Sequence, residues 1–213
     1  MTSSDGVNLA KEVLALFAGR KGHFRFESGH HGDLWLEIPP AYIRPNRMRR
    51  FSTELAHRLS AHSIEAVCGP LVEGALLAQM VAEELSAEFY FAEQFTRPSS
   101  AGLYPVGYRL PETLRHQVRG KRIAIVDDVI NAGSAIRGTA EDLEACGARL
   151  TAIGALLVLG SSGSTFAASK GIPLEALARL PENSLWEPLS CPLCAAGLLL
   201  EEPGQALENK EHL

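Results

Sequence analysis

The chain has few cysteines, a deficit of positive charge and no long apolar run, and each shortage excludes a class of protein. Four cysteines in 213 residues are too few to staple a fold of this size, so packing must hold the interior. No uninterrupted apolar stretch approaches the ~18–20 residues needed to cross a bilayer. The opening MTSSDGVNLAKEVLALF has no basic stretch ahead of an apolar one. A cytoplasmic protein without a membrane partner is expected. Acidic residues outnumber basic ones 25 to 20, for a formal charge of −5, which offers no general field for a nucleic-acid backbone. A helix-turn-helix, a basic tail, a GxGxxG turn and a Walker lysine are missing too. No repeat of ~20–50 residues suggests a solenoid.

What is present reads as an α/β protein. Hydrophobic residues at 46% and charged residues at 21% are ordinary for a globular chain, and the length fits one domain with appendages. Val7 to Ala18 has helical apolar spacing that Gly19 can end. HFRFESGHHGDLWLEI alternates on either side of Ser28–Gly32, which predicts a hairpin forming a small hood. From Asn46 the pattern runs helix (to about His62), strand IEAVCGP, helix (about Glu73–Leu85), strand EFYFA, and an irregular stretch Gln94–Val118. Strand KRIAIVDDV, a helix from about Ser134 to Cys146 and strand LTAIGALLVL follow. Repeated β-α-β order predicts a parallel sheet flanked by helices. The expected division is 1–45 as N-terminal helix and hood, 46–180 as core, and 181–213 as a C-terminal extension. GSSGST, Gly160–Thr165, reads as a flexible connection, and Pro203–Leu213 as a fraying end.

The chemistry concentrates in Arg122–Thr139, RIAIVDDVINAGSAIRGT. Ile123–Val126 suits an interior parallel strand with Asp127 and Asp128 at its carboxyl end, where open α/β sheets bind ligands. The loop that follows enters a helix whose first N–H groups lack intrahelical partners and so can hold a phosphate. Gly133 lets the backbone approach the anion, while Ser134 and Asn131 can donate side-chain hydrogen bonds. The two carboxylates can accept from ribose hydroxyls or hold a magnesium ion through water. A plain strand followed by an Asp-capped helix is the bland alternative.

These features together resemble the phosphoribosyl pyrophosphate motif of type I phosphoribosyltransferases. VDDVINAGSAIR, with FRFESG before the hood, is most similar to the orotate phosphoribosyltransferases, and the likeness runs from about Phe24 to Val158. The resemblance implies an α/β domain with a hood, commonly a homodimer, that uses magnesium to transfer ribose 5-phosphate from phosphoribosyl pyrophosphate to orotate. It assigns Asp127, Asp128, Val129, Ile130, Asn131, Ala132, Gly133, Ser134 and Ala135 to phosphoribosyl pyrophosphate, with Asp127 and Asp128 as the magnesium holders. CGPLVEGALLA resembles the family's pyrophosphate loop, which assigns that role to Gly69, Pro70, Leu71, Val72, Glu73 and Gly74. Glu27, Ser28, Gly29 and Trp35 are the candidate base contacts.

The chain departs from the family pattern in charge. Glu27 and Glu73 stand where orotate enzymes commonly carry basic residues, and no lysine lies between Ala92 and Gly120. Gly160, Ser161 and Ser162 follow the LTAIGALLVL strand where an arginine is expected. Another nucleobase, or a non-catalytic sensor of phosphoribosyl ligands, therefore stays open beside orotate. Arg97 and Arg109, flanking the irregular stretch, are candidate catalytic cations or solvated loop residues.

Cys68 and Cys146 lie in segments that read as core. Adjacent His30 and His31 are expected to point to opposite sides, and with no nearby cysteine pattern a solvated or base-contacting role is favoured over metal. Cys191 and Cys194, in CPLC, have the gap of half a zinc ribbon. Packing thiols are expected there, with a four-cysteine site shared between two subunits as the alternative. Trp186 reads as a core or interface residue.

Overall fold

The computed structural model describes residues 3–97, 103–180 and 185–203, with side chains from residue 7. In chain order the elements are α1 (Ser3–Leu14), β1 (Ala18–Arg25), β2 (His31–Glu37), α2 (Pro39–Tyr42), α3 (Pro45–Leu59), β3 (Ala66–Pro70) and α4 (Glu73–Leu85). Then come β4 (Glu88–Thr96), β5 (Val106–Arg109), α5 (Glu112–Arg115), β6 (Arg122–Ile130), α6 (Ser134–Ala145), β7 (Arg149–Leu159) and α7 (Ser162–Lys170). β8 (Leu174–Leu180), β9 (Leu185–Trp186) and α8 (Pro192–Ala195) complete the set.

Six strands form the main sheet in the order β5-β4-β3-β6-β7-β8. All neighbours run parallel except the antiparallel edge pair β4–β5. Both faces are covered, which is why the interior strands read as unbroken apolar runs. Along β6, Ala124 and Val126 join Leu55, Leu59, Leu77 and Val81 on one face, while Ile123 and Ile125 join Ile136, Leu143 and Phe166 on the other. Cys68 and Cys146 lie in this second layer, as expected. The path moves outward from β3 to β4, then returns across β3 to β6, so the strand order reverses between β3 and β6. A crevice opens at the carboxyl ends of strands at such a reversal.

A second sheet, β1-β2-β9, is antiparallel and forms the hood. Several expectations shift here. Helix α1 ends at Leu14, so Gly19 lies within β1; Leu9 and Val13 of this helix pack into the main core rather than on the hood. The C-terminal extension is not a separate appendage, because β9 pairs with β2 (His31 with Trp186). Glu201 also exchanges backbone hydrogen bonds with His23 and Arg25. Trp186 is thereby a hood residue. The stretch Gln94–Val118 is largely ordered: β4 runs to Thr96 and β5 pairs back on it. Gly160–Thr165 is not a loop throughout, since α7 starts at Ser162 and Gly163 abuts Ile130. The expected fraying of Pro203–Leu213 falls almost wholly outside the described residues.

Candidate active site at the strand-order reversal

Asp127 and Asp128 lie inside β6, two residues short of its end at Ile130. They are 7% and 6% exposed. Asp127 accepts a hydrogen bond from the Asp128 N–H (3.1 Å), and Asp128 Oδ1 accepts one from the Val129 N–H (2.8 Å). Asp128 Oδ2 is buried and has no hydrogen-bond partner among the described residues. Loss of hydration raises both carboxyl pKa values above the ordinary range, Asp127 further because it also faces the Asp128 charge. Tyr42, at the end of α2, has a buried hydroxyl without a partner among the described residues, and burial beside Asp128, Asp127 and Glu73 holds its proton firmly. A buried carboxylate oxygen without a donor, beside a second carboxylate, is chemically suited to a cation or to ribose hydroxyls.

The loop after β6 has the conformation that its composition demands. Val129 and Ile130 still pair with β7, Asn131 and Ala132 make the turn, and Gly133 has φ 81°, a region where a Cβ is strained. Ser134 begins α6, so the free N–H groups of a twelve-residue helix point into the turn that Ala135 continues. The second loop, Gly69–Gly74, leaves β3 beside it. Gly69 and Pro70 still belong to β3, and Glu73 and Gly74 already belong to α4; a Cβ on Gly74 would lie 2.6 Å from Asp127 Oδ1, so the start of α4 comes this close to β6 only because that side chain is missing. Leu71 and Val72 are exposed, and the peptide between them is cis.

The hood reaches this crevice through Glu27. Tyr108 Oη and Gln94 Nε2 donate to Glu27 Oε2 at 2.8 and 3.1 Å, and Ser134 also hydrogen-bonds it. Desolvation by these neighbours outweighs the bonds and raises the Glu27 pKa, although the residue stays exposed at the surface. Ser28 is 1% exposed; its carbonyl accepts from the Tyr104 N–H at 2.8 Å, and its hydroxyl meets His30 Nδ1 at 3.1 Å. Gly29 turns the hairpin at φ 81°. Trp35 lies inside the hood, stacked 6.2 Å from Phe26 and tilted against Phe24.

The two candidate catalytic arginines make contacts on the β4–β5 side of the fold. Arg97 donates to the Val106 carbonyl and to Glu141 (2.7 Å), two turns into α6, and Arg109 lies over the Phe95 ring at 5.0 Å. Neither contact involves residues 127–135. The cation beside that loop is Arg137, one turn into α6. Its guanidinium lies 5.6 Å from the Tyr104 ring and 4.7 Å from that of Phe166, and Nη2 points at the Ser162 carbonyl (3.5 Å). Its Nε is buried without a hydrogen-bond partner among the described residues. Position i+4 from Gly133 puts it on the loop's side of the helix, a spacing visible in GSAIR. Tyr104, at positive φ, joins the same corner: its hydroxyl approaches the Ala132 carbonyl (3.4 Å) and its ring meets His30 edge-on. No spacing rule pointed to Tyr42 or Tyr104, since both come from turns that only the fold brings here.

Known proteins resemble this chain in sequence and in fold. The orotate phosphoribosyltransferase of Caldanaerobacter subterraneus is 29% identical over 86% of this chain and 89% of its own length. That of Thermotoga maritima is 28% identical over 92% and 97%. Among solved structures, Aeropyrum pernix orotate phosphoribosyltransferase matches at a TM-score of 0.60 and 22% identity, covering 81% of this chain and 93% of that one. Trypanosoma brucei adenine phosphoribosyl transferase matches at 0.63 and 20%, covering 80% and 79%. The sequence model of the phosphoribosyl transferase domain matches residues 47–170, which hold both loops, and the chain belongs to that family.

Proposed function

We propose that the protein transfers the 5-phosphoribosyl group of phosphoribosyl pyrophosphate to orotate, as a cytoplasmic homodimer in pyrimidine nucleotide biosynthesis. The observation that carries this reading is the close approach of the start of α4, at Gly74, to the paired buried carboxylates near the carboxyl end of β6, at the strand-order reversal. The N–H groups of residues 131–135 and the Ser134 hydroxyl hold the 5-phosphate. Asp127 and Asp128 accept from the ribose hydroxyls, and residues 69–74 direct N–H groups at the pyrophosphate. Asp127 and Asp128 would hold a magnesium ion through water, for which the Asp128 Oδ2 left without a partner among the described residues is suited, and the ion would supply charge neutralisation for the departing pyrophosphate.

A base nitrogen attacks ribose C1 as the C1–pyrophosphate bond breaks, so the side chains position and screen rather than bond covalently. Arg137 is the cation on hand for a carboxylate-bearing base, in place of the arginine missing after β7. Glu27, whose carboxyl pKa is raised by desolvation, holds its proton to higher pH than an ordinary carboxyl, which lessens its repulsion of an anion near Ser134. Adenine and orotate enzymes share this fold, so the base must be identified by turnover. Pyrophosphate release should be measured with phosphoribosyl pyrophosphate, magnesium and orotate, uracil, adenine, guanine or hypoxanthine, in wild type and Arg137→Ala. Orotate alone should turn over, and Arg137→Ala should raise its KM about 10-fold or more, as loss of a charge-assisted bond does. Turnover of another base, or of none, would overturn the orotate assignment.

A further inference from the structure

We infer that His23, His31, Cys191 and Cys194 form a closed zinc site that clasps the hood to the C-terminal segment. The four ligand atoms lie within 4.8 Å of one another. His23 Nε2 is 3.2 Å from His31 Nδ1, 3.4 Å from Cys191 Sγ and 3.6 Å from Cys194 Sγ, and Cys194 Sγ is 3.2 Å from His31 Nδ1. A tetrahedron with zinc–nitrogen bonds of about 2.0–2.1 Å and zinc–sulfur bonds of about 2.3 Å has edges of about 3.3 Å between nitrogens and about 3.6 Å between nitrogen and sulfur. The measured separations match those edges to within a few tenths of an ångström.

The surroundings prepare the donors. His23 Nδ1 faces the Leu198 carbonyl at 2.9 Å. A carbonyl only accepts, so the proton sits on Nδ1 and the Nε2 lone pair is aimed at the cluster, the outer-sphere arrangement of metal-bound imidazoles. The irregularity in β1 between Lys21 and Phe24 re-aims His23 at that point in the strand. Two imidazoles and two sulfurs without a carboxylate form a donor set that suits zinc better than magnesium or calcium. His23, His31 and Cys191 are buried, while Cys194 is exposed and gives the ion a way in. Four protein donors leave no open position for water, which makes the site structural rather than catalytic.

On this inference the two thiols, expected from the sequence to be packing groups, are metal ligands, and two hood histidines close the half-ribbon in place of a second subunit's cysteines. The site makes no contact with the acids of β6, and its test is independent of the proposed reaction.

The full chain, purified without a polyhistidine tag, should carry about one zinc per chain that survives gel filtration and is released when a mercurial blocks the thiols. Replacement by cobalt should give the intense visible bands of a tetrahedral ion together with thiolate charge transfer. Cys194→Ser, at the exposed ligand, should lower retained zinc at least 10-fold and reduce Tm by more than about 5 °C. If that variant does not fold, the cobalt spectrum of the wild-type chain decides alone. A chain that stays metal-free after incubation with zinc, a spectrum without thiolate bands, a Cys191–Cys194 disulfide in freshly purified protein, or unchanged zinc in Cys194→Ser would each overturn the inference.

Discussion

The crevice at the end of β6 and the clasp beneath the hood are both buried polar clusters, yet they are built on opposite terms. In the crevice the acids are contiguous in sequence and short of partners: Asp127 and Asp128 are buried together, and Asp128 Oδ2 has no hydrogen-bond partner among the described residues. In the clasp the four side chains come from segments about 160–170 residues apart, and each converges on the others. A cluster that lacks partners costs stability and waits for a ligand, whereas a convergent one supports the fold when its ion binds. The first is where activity is expected to be sensitive, the second where integrity is.

The comparison is tested most severely at Asp128. Asp128→Asn should lower kcat/KM about 10²–10³-fold, the usual cost of removing a group that stabilises charge in the transition state. It should also raise Tm in the absence of ligand. A carboxyl whose folded pKa lies above its unfolded value of ~4 binds its proton more tightly in the fold. Stability is then lost as pH climbs from the unfolded pKa through the folded one, and a neutral amide escapes that loss. Thermal melts from pH 4 to 8 should show wild type and variant together at the acid end and the variant higher at the alkaline end. A lower Tm for Asp128→Asn throughout would mean that the crevice is a structural network after all.

Glu27 gives a subtler handle. Its raised pKa predicts that Glu27→Gln resembles wild type at low pH, where both are neutral. As the wild-type carboxylate ionises, KM for phosphoribosyl pyrophosphate should become several-fold lower in the variant, since ~1.4 kcal/mol corresponds to a factor of ten. A KM ratio that does not change with pH would separate Glu27 from the anion site. The smallest effects are expected at Arg97 and Arg109. The Arg97–Glu141 pair is exposed on both sides, so Arg97→Ala should cost less than about 1 kcal/mol. Single-turnover rates in Arg97→Ala and Arg109→Ala should stay within about 2-fold of wild type. A 10-fold loss in either would return a catalytic role to that arginine.

How legible each part was follows from where its information lies. The layered α/β core could be read because β6 alternates Ile123, Ala124, Ile125 and Val126 between two buried faces, and such runs occur only where helices cover both sides. The phosphate loop could be read because a strand, two acids and a Gly-Ser helix start are consecutive. The hairpin of the hood was visible as alternation, but its third strand was not, since two residues of β9 carry no periodicity. The stretch Gln94–Val118 read as irregular because the β4–β5 pairing is set by partners rather than by apolar alternation. Arg137 lay in plain view in the motif, and its helical spacing from Gly133 was the signal available.

Sequence alone determined the fold class, the strand, turn and helix start proposed to hold the phosphoribosyl group, and the family resemblance, because each depends on residues close together whose geometry follows from local rules. Tertiary structure decided what Glu27, Tyr42 and Tyr104 face, why Arg137 stands nearer the phosphate loop than Arg97 or Arg109 do, and that two histidines meet two cysteines. Those relations are set by packing between segments distant in the chain, and no spacing along the sequence encodes a distance across the fold.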